Sequence, residues 1–182
     1  MLKNEIKENS LFGELSGIAS SFGMVIVDVN KTVRSGGEIH VSITVMNIDG
    51  DTGIDDCEKF HRAVLPLLEL KIGRDVLSTE VETPGLQRNF KDFYEFSVFT
   101  ERRCRLYSLN MESWIEGVIN KVENDTVEMT GCIVENSGEK CDSMKFGIDD
   151  IQKAKLDWKF EDLKKNKKNF TGDSNVGIKR SH

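Results

Sequence analysis

The first third of the chain alternates between helical and strand-like hydrophobic patterns. Apolar residues recur every three to four positions from Ile6 to Phe22, which predicts an amphipathic helix ending at Gly23. Two segments rich in β-branched residues follow, MVIVDVNKTV and EIHVSITVM, and the Gly36-Gly37 pair between them predicts a β-hairpin. We expect the second strand to bury its Ile/Val face and to leave its other face in solvent.

A second helix and a third strand complete this pattern. The segment IDDCEKFHRAVLPLL places apolar side chains on one helical face, with Thr52 or Gly53 as the N-cap. Pro66 lacks a backbone donor, so we expect the helix to end or kink near Leu65. VLSTEVET then alternates as a strand does. Residues 1–83 therefore predict helix, strand, strand, helix, strand, with both helices on one face of a three-stranded sheet.

The helical pattern disappears after residue 90. Short strand-like segments follow one another there: FYEFSVFTERRCRLYSL, WIEGVINKV, TVEMTGCIV and SMKFGI. A helical turn leading into a last strand is expected within IDDIQKAKLDW. Closely spaced short strands predict a small β-barrel. We therefore predict an α+β protein with an N-terminal domain at 1–90, a C-terminal all-β domain at 91–160 and a basic, disordered tail at 161–182.

Charge narrows the possible functions. The 182 residues carry a net charge of −6, divided as −5 over residues 1–90, −4 over 91–160 and +3 over 161–182. An acidic body disfavours whole-surface nucleic-acid binding, which needs cations to neutralise phosphates, and favours a basic protein partner. The chain has neither a long apolar run nor the apolar core of a signal peptide at its start. We expect a cytoplasmic monomer without membrane contact.

Candidate catalytic and metal-binding residues are sparse. None of the four cysteines belongs to a C-x-x-C pair. Cys57 and His61 share a face of the second predicted helix, which makes them candidates for a nucleophilic pair or for metal ligands. Alternatively, both pack in the core, with Cys57 acting as a small hydrophobe. The aspartates from Asp49 onward lack calcium-loop spacing, since Phe60 occupies the final ligand position. We expect no catalytic residue, metal or cofactor.

Basic residues form two candidate RNA contacts. Arg103 and Arg105 share one face of a predicted strand near Tyr107, and arginine beside an aromatic ring can bind RNA through phosphate contact and stacking. The alternative is a solvated strand face paired with Glu101. The tail lysines either solubilise the chain end or form a flexible cationic arm that contacts RNA. These lysines are Lys164, Lys165, Lys167 and Lys168.

The sharpest predicted turn lies in the segment EVETPGLQRNF. Thr83-Pro84-Gly85-Leu86 fits a type II turn, because proline presets φ at the first central position and glycine accepts a positive φ at the second. Arg88 follows near the predicted domain junction. It either braces an acidic neighbour there or contacts a phosphate.

Five segments carry a resemblance to a known protein family, in which similar segments occur in the same order. They are GMVIVDV, GDTGIDDCEKFHRAV, STEVETPGLQRNF, WIEGVINKVENDTVEM and IDDIQKAKL. Together they resemble the bacterial ribosome maturation factor RimP family over roughly residues 10–158. The most specific pieces are D-D-C at Asp55–Cys57 and P-G-L-x-R at Pro84–Arg88. The family usually has S-S-P-G-L-D-R-P-L at the second piece. This chain departs from that pattern at Glu82, Thr83, Gln87 and Asn89.

The resemblance implies an α/β N-terminal domain of two helices and three strands, followed by an Sm-like or SH3-like barrel. It implies a non-enzymatic factor required for assembly of the small ribosomal subunit, which binds the immature particle. The implied partners are ribosomal RNA and a basic small-subunit ribosomal protein, engaged through the barrel. A general RNA-binding module acting through the barrel is the alternative. The candidate ribosome-binding residues are Thr83, Pro84, Gly85, Leu86, Arg88, Arg103, Arg105, Lys164, Lys165, Lys167 and Lys168.

Overall fold

The computed structural model describes residues 2–49 and 51–157. Within them the chain forms three α-helices: α1 (Phe12–Ser21), α2 (Ile54–Ile72) and α3 (Glu95–Val98). It also forms eight strands: β1 (Met24–Val33), β2 (Ile39–Asn47), β3 (Leu77–Glu82), β4 (Arg103–Ser108), β5 (Ser113–Glu123), β6 (Thr126–Val134), β7 (Lys140–Gly147) and β8 (Ile151–Leu156). The strands build one three-stranded and one five-stranded sheet, so the predicted α+β class is confirmed. In this part of the chain, no helix has the length and apolarity needed to cross a membrane.

The three-stranded sheet has the order β1-β2-β3. β1 and β2 form the predicted antiparallel hairpin, with Met24 opposite Asn47 and Val33 opposite Ile39. β3 lies parallel to β2, and parallel strands need a long crossover, which α2 supplies. α1 and α2 enclose a core with this sheet. Its largest fully buried side chains are Leu15, Ile26, Ile43, Phe60 and Leu68.

The first helix is shorter than its apolar periodicity predicts. The α-helix begins at Phe12, and Ile6–Glu8 forms a separate 3₁₀ turn. Asn9 separates the two elements, because its side-chain Oδ1 accepts the N–H of Leu11 at 3.0 Å and its Nδ2 donates to the carbonyl oxygen of Val29 at 3.2 Å. Asparagine side chains that bond to nearby backbone compete with helix formation. The apolar repeat therefore continues across a break in the helix.

α2 continues through Pro66, so the predicted end of the helix near Leu65 is wrong. The helix ends only at Ile72, where Gly73 follows with φ +102°. Proline in a helix interior costs about 3 kcal/mol. That loss is offset by packing, because Val64 before the proline and Leu68 after it are both fully buried in the helix–sheet core. Tertiary packing thus overrides a local helix-breaking signal.

The five-stranded sheet is antiparallel throughout and has the order β7-β6-β5-β4-β8. A 3₁₀ turn at Ile148–Asp150 leads into β8, as the sequence predicts, and β8 then pairs with β4. Inner and outer positions alternate along β4: Cys104, Leu106 and Ser108 are buried, whereas the residues between them face outward. β4 is therefore a central strand whose outer face carries the predicted basic residues.

The segment FYEFSVF was predicted to be part of a strand, but it contains the short helix α3. Phe90, Phe93, Phe96 and Phe99 are all buried in the core of the five-stranded sheet. The ring centroid of Phe96 lies 5.0 Å from that of Phe90 and 5.4 Å from that of Phe93. A spacing of three places side chains on one side of a helical turn but on alternating faces of a strand. This spacing was the signal for a helix.

The two cores meet along β1 and β2. Val27 is fully buried, yet it belongs to the core of the five-stranded sheet, and Met46 packs against that same core. Thr44 is also buried and donates its hydroxyl to Oε1 of Glu82 at 3.1 Å. The Ile/Val face of β2 is buried as predicted, but its other face is partly covered rather than solvated. Met46 is covered by the core of the five-stranded sheet, and Thr44 by Glu82 on β3.

Candidate nucleic-acid interface

The predicted P-G-L turn lies just beyond the end of β3. Gly85 has φ +71°, the left-handed conformation that a type II turn requires at its second central position. The observed turn is centred further along the chain, on Leu86 and Gln87. Leu86 is exposed and Pro84 is half-buried. The segment therefore exposes the apolar side chain of Leu86, and its backbone conformation at position 85 favours glycine.

Replacing Gly85 with alanine is expected to destabilise the protein by about 1 kcal/mol, because a Cβ atom disfavours left-handed backbone. No heavy atom lies within 4 Å of the position that this Cβ would take, so the backbone alone sets the effect. Gly17→Ala in α1 is the matched control. It also meets nothing within 4 Å, and it should be neutral or stabilising. Equal urea midpoints for the two variants would contradict the assigned conformation.

Arg88 is buried, with 8% of its surface exposed, and it lies beside two carboxylates. Its Nε donates to Oε2 of Glu95 at the start of α3. Its Nη2 lies 3.3 Å from Oδ2 of Asp28 on β1, an ion pair without hydrogen-bond geometry. The guanidinium therefore braces acidic neighbours, the first of the two roles that the sequence left open for Arg88. It connects the three-stranded sheet to α3.

The ionic cluster extends from Arg88 to Lys91. Nζ of Lys91 lies 2.6 Å from Oδ2 of Asp28, and the backbone N–H of Lys91 donates to Oε1 of Glu95 at 2.7 Å. Burial lowers the pKa of Arg88, but the hydrogen bond and charge of Glu95, helped by Asp28, outweigh burial and raise this pKa above its ordinary value. Arg88 thus remains a cation between two anions.

Asp92 and Tyr94 bind the start of the chain and β1 next to Arg88. Oδ2 of Asp92 accepts the backbone N–H groups of Glu5 at 2.8 Å and of Ile6 at 3.1 Å. The hydroxyl of Tyr94 donates to the carbonyl oxygen of Ile26 on β1 at 3.1 Å, and burial raises the pKa of this tyrosine. These contacts join the segment at the start of α3 to the beginning of the chain and to β1. We call Asp28, Arg88, Lys91, Asp92 and Glu95 the junction cluster.

Arg103 and Arg105 share the outer face of β4, as predicted. Arg103 pairs with Glu116 on β5, and Arg105 pairs with Glu135, which follows β6. The predicted alternative partner, Glu101, is wrong because it lies in the turn before β4 with φ +67°. Cross-strand neighbours rather than sequence neighbours supply the counter-charges. Both arginines keep part of their side chains exposed, so they remain accessible at the surface.

Trp114 on β5 is the centre of this outer face. Cζ of Arg105 lies 5.1 Å and Nζ of Lys155 lies 5.9 Å from the centroid of its ring. Tyr107 packs edge-on against the same ring, with centroids 5.6 Å apart. Lys153 stands opposite Tyr107 in the pairing of β4 with β8. We call Arg105, Tyr107, Trp114, Lys153 and Lys155 the cation–aromatic face.

The cation–aromatic face combines the groups that single-stranded RNA recognition uses. An aromatic ring offers a stacking platform for a base, and neighbouring cations can contact the phosphates. Lys153 also lines a shallow cleft of about 370 Å³ whose other lining residues include Lys3 and Lys91. The cations of the face therefore continue, through Lys153, to the edge of this cleft.

Trp114, Lys153 and Lys155 were not among the residues predicted from the sequence. Strand alternation placed Arg105 correctly, but nothing local shows that β8 returns beside β4 and brings Lys155 to the tryptophan. The predicted basic tail at 161–182 lies outside the described residues. Its candidate lysines lie there as well: Lys164, Lys165, Lys167 and Lys168.

Cys57 packs in the helix–sheet core, whereas half-buried His61 contacts β3, and the two do not form a nucleophilic pair. Burial, followed by the charge of Asp56, raises the pKa of the Cys57 thiol, opposite to the activation that a nucleophile needs. The imidazole Nε2 of His61 lies 2.5 Å from Oγ1 of Thr79 on β3. Across residues 2–49 and 51–157, no three His, Cys, Asp or Glu side chains are grouped so that they could hold a metal ion.

A family model and several curated relatives that are similar to this chain carry the same family name. Residues 14–87 match the model described as the RimP N-terminal domain. The ribosome maturation factor RimP of Borrelia turicatae is 27% identical over 151 residues, which cover 83% of this chain and 96% of that protein. That of Borrelia hermsii is 29% identical over 153 residues, which cover 84% and 98%. Among solved structures, a novel Sm-like archaeal protein from Pyrobaculum aerophilum has 19% identity and a TM-score of 0.33, covering 44% of this chain and 65% of that one.

Proposed function

We propose, on the premise that this chain belongs to the RimP family of ribosome maturation factors, that it assists assembly of the small (30S) ribosomal subunit. The family is not one of enzymes, so the protein acts by binding. The carrying observation is the extent of the similarity, because these relatives match along 96–98% of their own length. A factor that favours one conformer of an immature particle shifts the assembly equilibrium without covalent chemistry. Such a role places the protein in the cytoplasm, acting as a monomer.

We propose a two-domain architecture, with an N-terminal domain at 1–90, a C-terminal Sm-like or SH3-like barrel at 91–160 and a tail at 161–182. Two separate hydrophobic cores support this division, one between the helices and the three-stranded sheet and one inside the five-stranded sheet. The P-G-L turn and Arg88 occur where the chain passes from one core to the other. The junction cluster then sets how the two domains are held together.

The cation–aromatic face is the proposed contact with ribosomal RNA. Trp114 offers a ring for base stacking, while Arg105, Lys153 and Lys155 contact phosphates. Arg103 takes part from the same face of β4. Exposed Leu86, with Thr83, Pro84 and Gly85, presents a second, apolar contact to the particle, and the tail lysines add a salt-sensitive one. Arg88 supports this arrangement from inside, as a brace.

A basic ribosomal protein is the proposed second partner. Residues 1–90 and 91–160 carry net charges of −5 and −4, whereas proteins that bind ribosomal RNA need cations to neutralise phosphates. Opposite charges steer association and orient the partners before close contact forms. RNA contact therefore depends on a local cationic face, and protein contact depends on the acidic remainder of the surface.

Co-sedimentation with purified immature small subunits at low salt tests this function. The wild-type protein is expected to travel with the particles, and variants of the cation–aromatic face are expected to travel less. Trp114→Ala should weaken binding about tenfold, because stacking contributes roughly 1–3 kcal/mol per base. Lys155→Gln should reduce the salt dependence of binding by about one phosphate contact.

Lys145→Gln on β7 is the matched control for Lys155→Gln, since β7 and β8 are the two edge strands of the same sheet. It should leave binding within twofold of wild type. If the wild-type protein stayed at the top of the gradient with every particle, the proposed function would fail. Equal affinity for unrelated RNAs, with the same loss in Trp114→Ala, would instead support a general RNA-binding module.

A further inference from the structure

Three large apolar side chains are exposed at one end of the three-stranded sheet. Phe22 at the end of α1 is 45% exposed, Ile48 beyond β2 is 63% exposed and Ile54 at the start of α2 is 86% exposed. Exposed apolar residues that occur singly need no explanation, but a group of them marks an interaction surface. Whether these three form a group depends on how their segments are joined.

Backbone and ring contacts bring the three residues to the same end of the domain. The N–H of Ile48 donates to the carbonyl oxygen of Gly23 at 3.0 Å, directly after Phe22. The ring of Phe22 lies edge-on to that of Phe60, with centroids 6.3 Å apart. Phe60 belongs to the second turn of α2, the helix that Ile54 begins. The segments that present these side chains are therefore in direct contact.

The connection between β2 and α2 is held by a network centred on Asn47. Its backbone N–H donates to Oγ1 of Thr52 at 2.8 Å, and its Nδ2 donates to the carbonyl oxygen of Asp51 at 2.9 Å and to Oδ2 of Asp56 at 3.0 Å. Oδ2 of Asp56 also accepts the N–H of Gly53, the N-cap of α2, at 3.0 Å. A surface held in place before binding loses less conformational entropy when a partner docks.

The apolar residues lie in a strongly acidic stretch. Residues 47–58 contain five acidic residues and no Lys or Arg, and Asp49, Asp51 and Asp55 are exposed. The backbone bond from Gly53 and the amide of Asn47 lower the pKa of Asp56. Lys59 is the cation next along α2. We call Phe22, Ile48 and Ile54, with Asp49, Asp51 and Asp55, the apolar–acidic end.

We infer that the apolar–acidic end docks a cationic protein segment that inserts apolar side chains between the aspartates. This inference rests on the proposed function and names a different surface from the cation–aromatic face. Opposite charge steers a basic segment to the aspartates, and burial of exposed apolar area holds it there. RNA phosphates are repelled by the same charges. A second copy of this chain, with its net charge of −6, is repelled as well.

Matched double variants test this inference on two probes, purified immature small subunits and the RNA extracted from them. Ile48→Gln with Ile54→Gln removes apolar area from the apolar–acidic end. Val33→Gln with Leu70→Gln removes residues of similar exposure, 73% and 85%, from elsewhere on the same sheet and helix. We expect the first pair to weaken binding to particles about tenfold or more and to leave binding to the protein-free RNA unchanged. The second pair should stay within twofold on both probes.

Several results would overturn the inference. It fails if the Ile48/Ile54 variant binds particles like wild type, or if it loses affinity for protein-free RNA to the same degree. Failure of the wild-type protein to bind particles would remove the proposed function and this inference together. If only the inference about the apolar–acidic end is wrong, wild-type binding and the Trp114→Ala defect remain. Failure of the inference can therefore be distinguished from failure of the proposed function.

A photo-crosslinking measurement identifies the class of partner directly. p-Benzoylphenylalanine at position 48, irradiated on the particle, is expected to yield an adduct with a small-subunit protein that resists ribonuclease. The same group at position 33, between Lys31 and Arg34 on the hairpin, is the control. An adduct at position 48 that ribonuclease removes, or an adduct between two copies of this chain, contradicts the inference.

Discussion

Replacing Arg88 with methionine is expected to lower the free energy of unfolding by about 3–5 kcal/mol. Methionine keeps much of the volume and removes the charge, so the carboxylate of Glu95, whose side chain is 0% exposed, loses its buried counter-ion. Asp28 retains Lys91 at 2.6 Å, so the loss is concentrated at Glu95. Urea unfolding measures the change, and a constant m-value will show that stability rather than the denatured state has changed.

Arg62→Met on α2 is the control for this effect. Arg62 pairs with Glu58 at an exposed position, where an ion pair contributes about 0.2–1 kcal/mol. Adding Glu95→Gln to Arg88→Met should recover part of the loss, because no buried charge is then left unpaired. If Arg88→Met and Arg62→Met had equal effects, the buried brace would not be what holds this junction.

Replacing Phe96 with alanine is also expected to destabilise the protein by about 3–5 kcal/mol. The side chain is fully buried, and its ring contacts Phe90 and Phe93 at centroid distances of 5.0 and 5.4 Å. Alanine would leave a cavity at the centre of the phenylalanine group that fills the core of the five-stranded sheet. Thermal unfolding and urea unfolding both report this loss.

Phe22→Ala is the control of the same chemistry. Phe22 is 45% exposed, so it gives up only part of the transfer free energy, and we expect a loss of less than about 1.5 kcal/mol. An effect of Phe96→Ala no larger than that of Phe22→Ala would mean that the segment around α3 does not pack as described.

The junction cluster matters for function because the two proposed surfaces lie on different sheets. The cation–aromatic face belongs to the five-stranded sheet, and the apolar–acidic end belongs to the three-stranded sheet. A particle can contact both surfaces at once only if the distance between them matches the distance between the two contact points on the particle. Arg88 joins Asp28 on β1 to Glu95 on α3, at the point where the chain passes from one sheet to the other. Arg88, which the sequence offered as a candidate ribosome-binding residue, thus braces the protein from inside.

Local patterns predicted most of the elements correctly. The β1–β2 hairpin, β3 and the 3₁₀ turn before β8 all occur where alternation and turn residues placed them. Two of the wrong predictions concern Pro66 and the FYEFSVF segment. Pro66 was expected to end α2, but core contacts on both sides carry the helix through it. The FYEFSVF segment was expected to be a strand, although its spacing of three already favoured a helix.

The sequence by itself determined the order of elements up to β3 and the inward and outward faces of β2 and β4, because periodicity is a property of neighbouring residues. Only the tertiary structure decided which charges and rings the basic residues meet. Lys91 and Asp28 stand 63 positions apart, yet they share the junction with Arg88. Lys155 reaches Trp114 because β8 returns beside β4. Such charges meet through strand pairing and core closure, which depend on the whole chain, so no local pattern distinguishes a buried brace from an exposed cation.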